Sequence, residues 1–308
     1  MIAMKIIESI NARINNYSVL SNILRDYLRV ASDPVRHVQR IIASKSFSNS
    51  DLRIDTRSGF LLTNASQFEG LSELISKLQP FAFLRAEDLK GEHQVSPKPY
   101  YFNILDRGDV QSMPEIISFA LSQSVLDILA PYYGLVPNLS HIGIFLSAHT
   151  GDTVSGTQHA HWDNHDCRHV KMFCYLSDVG PNDGPLTFLP ADKSLWLRKK
   201  TGRILSTRAI RDDSEWQRYF TEKDLVKVIG PAGTVAFLNT SECMHFGSRC
   251  NPGGRRLSLV LHYAKFAEYS STRTRIYQDL NVATSPELMP QNLNKAASLM
   301  FQIINPKN

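Results

Sequence analysis

Apolar and polar positions follow two different rhythms in this 308-residue chain. In the first part, apolar residues recur about every 3.6 positions, the period of a helix with one buried stripe. "MKIIESINARI" reads this way. So does "DPVRHVQRIIAS", where Asp33 stands as N-cap and Pro34 takes the first helical position. "GFLLT" (59–63) reads as a strand, and Ser66 is placed to cap a helix over "QFEGLSELISKL". "MPEIISFALSQSVLDILAPYYG" predicts the strongest helix, ending near Gly134. Beyond it the rhythm shortens. "HIGIFLS" (141–147), "VKMFCYL" (170–176), "PLTFLP" (185–190), "LVKVIG" (225–230), "GTVAFLN" (233–239) and "RRLSLVLHYA" (255–264) are short β-rich runs separated by Gly, Pro, Asn and Asp. That texture predicts a β-sandwich or barrel.

The expected architecture is therefore mostly β with helices, a jelly-roll core under an N-terminal helical layer. One domain covers 1–308, with a mainly helical layer over 1–135, the core over 136–270 and a C-terminal extension over 271–308. Composition agrees, since 43% of residues are hydrophobic, enough for a sizeable core. No apolar run approaches the roughly 20 residues of a membrane-spanning helix. The start of the chain lacks the apolar stretch of a signal peptide, so a cytoplasmic location is expected, with Cys167, Cys174, Cys243 and Cys250 as free thiols. The net charge of +5 is spread out, which argues against nucleic acid and leaves an anionic small molecule open as partner. Peripheral membrane contact through the amphipathic first helix, near Lys5, Arg13 and Arg25, is also open, although docking onto the core is the ordinary fate of such a helix.

The chemistry concentrates in "HAHWDNHDCRHVKMF" (159–173). Side chains alternate along a strand, so an extended 157–163 would put His159, His161 and Asp163 on one face. Two local ligand pairs follow, His159 with His161 or His161 with Asp163, and each needs a distant third. His245, just after the run ending at Asn239, is placed to supply it. Arg256 lies 11 positions beyond His245, and strand parity puts Arg256, Ser258, Val260 and His262 on one face with Arg255 on the other.

His161-Trp162-Asp163, "DVGPNDGPLTFLP" (178–190), His245 and Arg256-Leu257-Ser258, in that order, resemble the phytanoyl-CoA dioxygenase-like branch of the iron(II)/2-oxoglutarate oxygenases. The resemblance is good over roughly 130–265 and loose before that. It implies a double-stranded β-helix fold with His161, Asp163 and His245 as iron ligands. It also implies Arg256 holding the far carboxylate of 2-oxoglutarate, with Ser258 beside it and Thr187 facing the same pocket. The implied reaction consumes dioxygen and hydroxylates an unactivated carbon of a small-molecule, lipid-linked or sugar substrate. "LPADKS" departs from the Pro-Gly-Ser-His common in the family, which bears on substrate contacts rather than on iron.

A His159/His161 pair would instead suggest a cupin-type metalloenzyme that does not use 2-oxoglutarate, but no Glu lies between His161 and Glu215 to complete such a motif. A catalytically silent jelly-roll binding protein is a third reading, one that an intact ligand set argues against. His159 is left to line a substrate pocket, and His165 and His169 to orient a ligand from behind. Lys171 and Tyr175 share a strand face that could meet an anionic substrate. Trp162, Trp196 and Trp216 read as packing residues, with Trp162 pointing away from its neighbours His161 and Asp163.

Overall fold

The computed structural model describes residues 27, 30–31, 33–47, 50–89, 98–151, 153–163, 166–204, 209–266, 280–281, 288 and 295–300. The amphipathic segment at 1–14, His165 and most of the stretch from 271 onward lie outside them.

The helical part begins with α1 (Pro34–Ser44), where the Asp33 side chain accepts from the Arg36 N–H and Pro34 opens the helix as expected. β1 (Phe60–Asn64) follows, and then α2 (Leu71–Asp88). Ser66 does not cap α2. It sits in a single 3-10 turn capped by the Asn64 side chain, and α2 starts after Gly70, whose φ of 74° breaks the chain direction. After β2 (Tyr101–Asn103) come α3 (Arg107–Ser112), α4 (Glu115–Ala120) and α5 (Gln123–Tyr133). The single long helix expected over this stretch is thus two, broken at Leu121–Ser122, and it ends at Gly134 in the left-handed conformation that glycine tolerates.

The remaining strands are β3 (Asn138–Ala148), β4 (His169–Tyr175), β5 (Thr187–Leu189), β6 (Val226–Lys227), β7 (Thr234–Asn239), β8 (Met244–Phe246), β9 (Arg255–Ala264) and β10 (Leu280–Asn281). They form two antiparallel sheets. The larger runs β1-β7-β4-β9-β3-β10 with β2 also on β3, and the smaller runs β6-β5-β8. The strand texture predicted a sandwich or barrel, and the two sheets make the double-stranded β-helix that the family resemblance implied. The short α6 (Ala191–Lys200) hangs off β5.

Period-two alternation in β9 shows why the layers form. Leu257, Leu259, Leu261 and Tyr263 face the helices and join one large core with Leu71, Leu78, Val125 and Leu129. Burying each such side chain contributes roughly 1.5–3 kcal/mol. Val260, on the opposite face, packs between the sheets with Phe145, Phe173, Tyr175, Leu186 and Phe188. A third cluster lies behind the small sheet, with Trp162, Trp216, Leu189, Met244 and Phe246. Trp196 departs from the expected packing role: it is 42% exposed and meets Tyr219 and Phe220 edge-on. All four cysteines are free thiols, and no described helix is long and apolar enough to cross a membrane.

Candidate metal centre

Residues 156–158 form a 3-10 turn rather than a strand, and beyond it the chain makes two isolated bridges, Ala160 with Ile210 and His161 with His245 of β8. His161 and His245 exchange both backbone hydrogen bonds, at 3.0 and 2.9 Å. A pair of this kind sends its two side chains to the same side, and the imidazole centroids stand 4.3 Å apart. Asp163 is held by its N–H donating to the Thr240 carbonyl at 2.9 Å. Between the two, Trp162 points the other way as expected. It is buried in the third cluster, with Nε1 donating to the Glu242 carbonyl and the Arg198 guanidinium 4.5 Å from its ring.

His161, Asp163 and His245 thereby converge, with one donor atom of each within 4.8 Å of the others. Their side chains are 13%, 10% and 6% exposed. Nδ1 of His161 lies 2.8 Å from the His159 carbonyl, and Nδ1 of His245 lies 3.0 Å from that of Cys243. A carbonyl only accepts, so each Nδ1 carries the proton and each Nε2 presents a lone pair toward Asp163. Burial lowers the pKa of both rings, that of His245 to about 3, with the His161 ring adding to the effect. Both imidazoles are therefore neutral near pH 7. Burial alone would raise the Asp163 pKa, but Lys171, His169, His245 and His161 outweigh it and hold the carboxyl well below the usual carboxylate range. Two neutral imidazoles and one charged carboxylate are what a divalent metal with open positions requires. Among the described residues Asp163 Oδ2 also makes no hydrogen bond, although the Lys171 ammonium is 2.8 Å away. The donor set therefore fits a metal.

His159 contributes its carbonyl rather than its ring, and among the described residues it is not part of the converging group. His169 is buried with Nδ1 3.6 Å from Asp163 Oδ2, behind the carboxylate where it was expected.

Further along the same inner surface stands Arg256, 3% exposed. It donates to the Gly184 carbonyl, to Ser147 Oγ at 3.1 Å and to Ser248 Oγ at 3.4 Å. Among the described residues no carboxylate comes within ion-pair distance of it, its Nε has no partner, and the nearby Ser258 Oγ is likewise buried and unsatisfied. Arg255 faces out and pairs with Glu87 at 3.0 Å, as strand parity requires. Tyr175 is on the inner face, its hydroxyl donating to the Val228 carbonyl at 2.8 Å. The structure does not bring Thr187 into this group. Phe188 and His245 are paired across β5 and β8, whereas Thr187 is paired with Phe246 on the other face, and its hydroxyl donates to the Pro185 carbonyl. Ser147 and Ser248 went unnoticed in the sequence. Ser147 is exactly opposite Arg256 in the β3–β9 register, a pairing that no local pattern encodes.

No protein-family model and no curated protein matches the chain. Among solved structures it is similar to HygX from Streptomyces hygroscopicus with nickel and 2-oxoglutarate bound, at 21% identity and a TM-score of 0.40 over 70% of this chain and 86% of HygX. It is similar also to the epimerase SnoN in complex with Fe3+, alpha ketoglutarate and nogalamycin RO, at 14% identity and a TM-score of 0.40 over 75% and 84% of the two chains. A third is EctD from S. alaskensis with 2-oxoglutarate and 5-hydroxyectoine, at 15% identity and a TM-score of 0.42 over 68% and 72%.

Proposed function

We propose that this protein is an iron(II)- and 2-oxoglutarate-dependent oxygenase that hydroxylates an unactivated carbon of a small-molecule, lipid-linked or sugar substrate. One observation carries the reading. A neutral His161/His245 pair converges with charged Asp163 on the same inner surface that buries Arg256 with no carboxylate partner among the described residues. A buried guanidinium without an anion is costly, and the planar donor fork suits a carboxylate.

His161, Asp163 and His245 would hold the iron, and Arg256 with Ser258 would hold the distal carboxylate of 2-oxoglutarate. Iron with 2-oxoglutarate and dioxygen supplies an oxidant able to attack an unactivated C–H bond, with succinate and carbon dioxide released. The chain's own residues set the conditions. The His159 and Cys243 carbonyls fix the imidazole tautomers, and Lys171 and His169 keep Asp163 charged. Phe145, Phe173, Tyr175 and Val260 line the space between the sheets with apolar surface that excludes water.

The test is a metabolite screen with iron(II), 2-oxoglutarate and ascorbate, read by succinate release and product mass. Iron-dependent succinate with a product heavier by one oxygen atom is expected. A product of unchanged mass, or one lacking two hydrogens, would replace hydroxylation by epimerisation or desaturation. Absence of iron-dependent succinate with every substrate would overturn the oxygenase reading.

A further inference from the structure

The inner surface beside the triad carries more positive charge than the reaction requires. Lys171 faces inward from β4, and its direct partner across the sheet is His262 of β9, whose partner in turn is His141 of β3. The three form one row across three strands, with the His141 and His262 rings 5.5 Å apart. Between the sheets, apolar residues would fill such a row at no desolvation cost. Here an ammonium and two buried imidazoles occupy it, and His262, only 6% exposed, has an Nε2 with no hydrogen-bond partner among the described residues. The nearest carboxylate is Asp163, 2.8 Å from the Lys171 ammonium.

Once Asp163 ligates a metal through one oxygen, its single negative charge is shared between the metal and Lys171. The dication draws on the same carboxylate and stands as a second cation beside the ammonium. The charges of the loaded site do not balance either. Iron(II), Lys171 and Arg256 supply four positive charges, while Asp163 and 2-oxoglutarate return three negative ones. Arg256 lies six residues from His262 along β9, roughly 20 Å of strand at about 3.3 Å per residue, so the anion at Arg256 is not also the anion of this row.

We propose that Lys171 and His262 form a receptor for a carboxylate of the substrate, so that the substrates of this enzyme are monocarboxylic acids oxidised at a carbon near that group. This rests on the oxygenase reading above and adds the substrate class to it. Lys171 supplies the charge and His262 a second polar contact on the same wall, and the carboxylate between them fixes which carbon is presented to the metal.

The test uses the full chain loaded with nickel(II), which is inert here, and saturated with 2-oxoglutarate. The probes are benzoate, phenylacetate and hexanoate, each titrated calorimetrically beside its primary amide. The acids are expected to bind about tenfold or more tighter than the amides, as loss of one partner of a buried charge pair implies. Lys171→Met should erase that preference while 2-oxoglutarate affinity stays as in the unmodified protein; because Lys171 also keeps Asp163 charged, nickel affinity is measured beside it and a loss there is expected as well. His262→Gln should reduce it, and this variant decides the matter if Lys171→Met does not fold. Equal binding of acids and amides, no binding of any probe, or a preference that survives both substitutions would overturn the proposal. So would a Lys171→Met variant whose only change is weaker nickel binding, because Lys171 would then merely orient Asp163. Failure of the oxygenase reading looks different: the unmodified protein would not hold nickel through His161, Asp163 and His245, or Arg256→Ala would leave 2-oxoglutarate binding untouched.

Discussion

The triad and the Arg256 pocket lie on one inner surface and are built from opposite materials. At the triad, acceptors converge: two imidazole lone pairs and a carboxylate, with their protons turned outward to backbone carbonyls. At Arg256, donors converge: a guanidinium and the hydroxyls of Ser147, Ser248 and Ser258, with no carboxylate among the described residues to answer them. The first is complete only with a cation and the second only with an anion. Burial makes both demands stringent, because neither site can be satisfied by bulk water. A site that suits a cation beside one that suits an anion, on one wall, is what the proposed pairing of a metal with 2-oxoglutarate would need.

The comparison breaks most visibly at the triad. His161→Ala, Asp163→Ala and His245→Ala are each expected to weaken iron(II) or nickel(II) binding by at least roughly a hundredfold, since outer partners of metal ligands alone cost 10–100-fold. His159→Ala should keep the metal, because the carbonyl it contributes survives the substitution. Calorimetric metal titration of all four separates these outcomes, and a ligand variant with unchanged affinity would remove that residue from the centre.

At the other end, Arg256→Ala should raise the 2-oxoglutarate requirement by tens to thousands of fold while the metal stays in place, the loss expected when one side of a buried charge-assisted pair is removed. Arg255→Ala should be nearly silent, because its partner is the exposed Glu87. Equal losses in the two variants would mean that strand parity misassigns the anchor.

Much of this was legible because β-strand parity is strict. The span 255–264 was read to the residue, and parity alone separated Arg256 from Arg255 and put His262 on the inner face. The same alternation offered His159 with His161 and His161 with Asp163 alike; only the family resemblance pointed to the second pair, and the backbone at His161 is an isolated bridge rather than a regular strand. What failed was information held between elements. Ser147 and Ser248 meet Arg256 through register and a loop, and neither has a local signature. Thr187 was drawn toward the pocket by its neighbourhood in the motif, yet its strand pairs with β8 in the register that turns it away. The break at Leu121–Ser122 interrupts an apolar period that the sequence carries straight through.

Gly184 serves the Arg256 end through backbone geometry. Its φ is 62°, its carbonyl accepts from Arg256, and an added Cβ would meet Cys250 Sγ at 2.7 Å and the Arg249 nitrogen at 2.9 Å. Gly184→Ala is therefore expected to cost about 1–3 kcal/mol in stability from strain and overpacking. It should weaken 2-oxoglutarate binding more than metal binding. A thermal melt and the two titrations check this, and equal loss at both sites would show that Gly184 supports the whole interior rather than the Arg256 end.

The triad's response to acid should be small. Free imidazoles titrate at about 6.5, so a solvent-exposed His pair loses metal as pH falls through that value. Burial lowers the pKa of both His161 and His245, the latter to about 3, and Asp163 is held well below the usual carboxylate range. All three are already in the metal-binding protonation state, so protons compete weakly. Between about pH 7.5 and 5.5 nickel affinity should fall by less than the roughly tenfold expected for each ligand that titrates normally. A steep loss centred near 6.5 would place at least one of the rings in contact with water.

The smallest effect is expected at Thr187, and it tests the face assignment rather than the chemistry. Thr187 and Val are close in shape, so Thr187→Val removes one hydroxyl and little else. That hydroxyl donates to the Pro185 carbonyl at 3.1 Å, two residues back in the same chain. Losing a hydrogen bond of this kind costs about 1 kcal/mol of stability. The side chain shares its face with Phe246, opposite the face that carries Phe188 and His245, so nothing bound near Arg256 should sense the change. Affinity for 2-oxoglutarate is expected to stay within about twofold of the unmodified protein, below the roughly fivefold that 1 kcal/mol at the site would give. A tenfold loss with an unchanged melting temperature would turn Thr187 back into the pocket, and with it the register between β5 and β8.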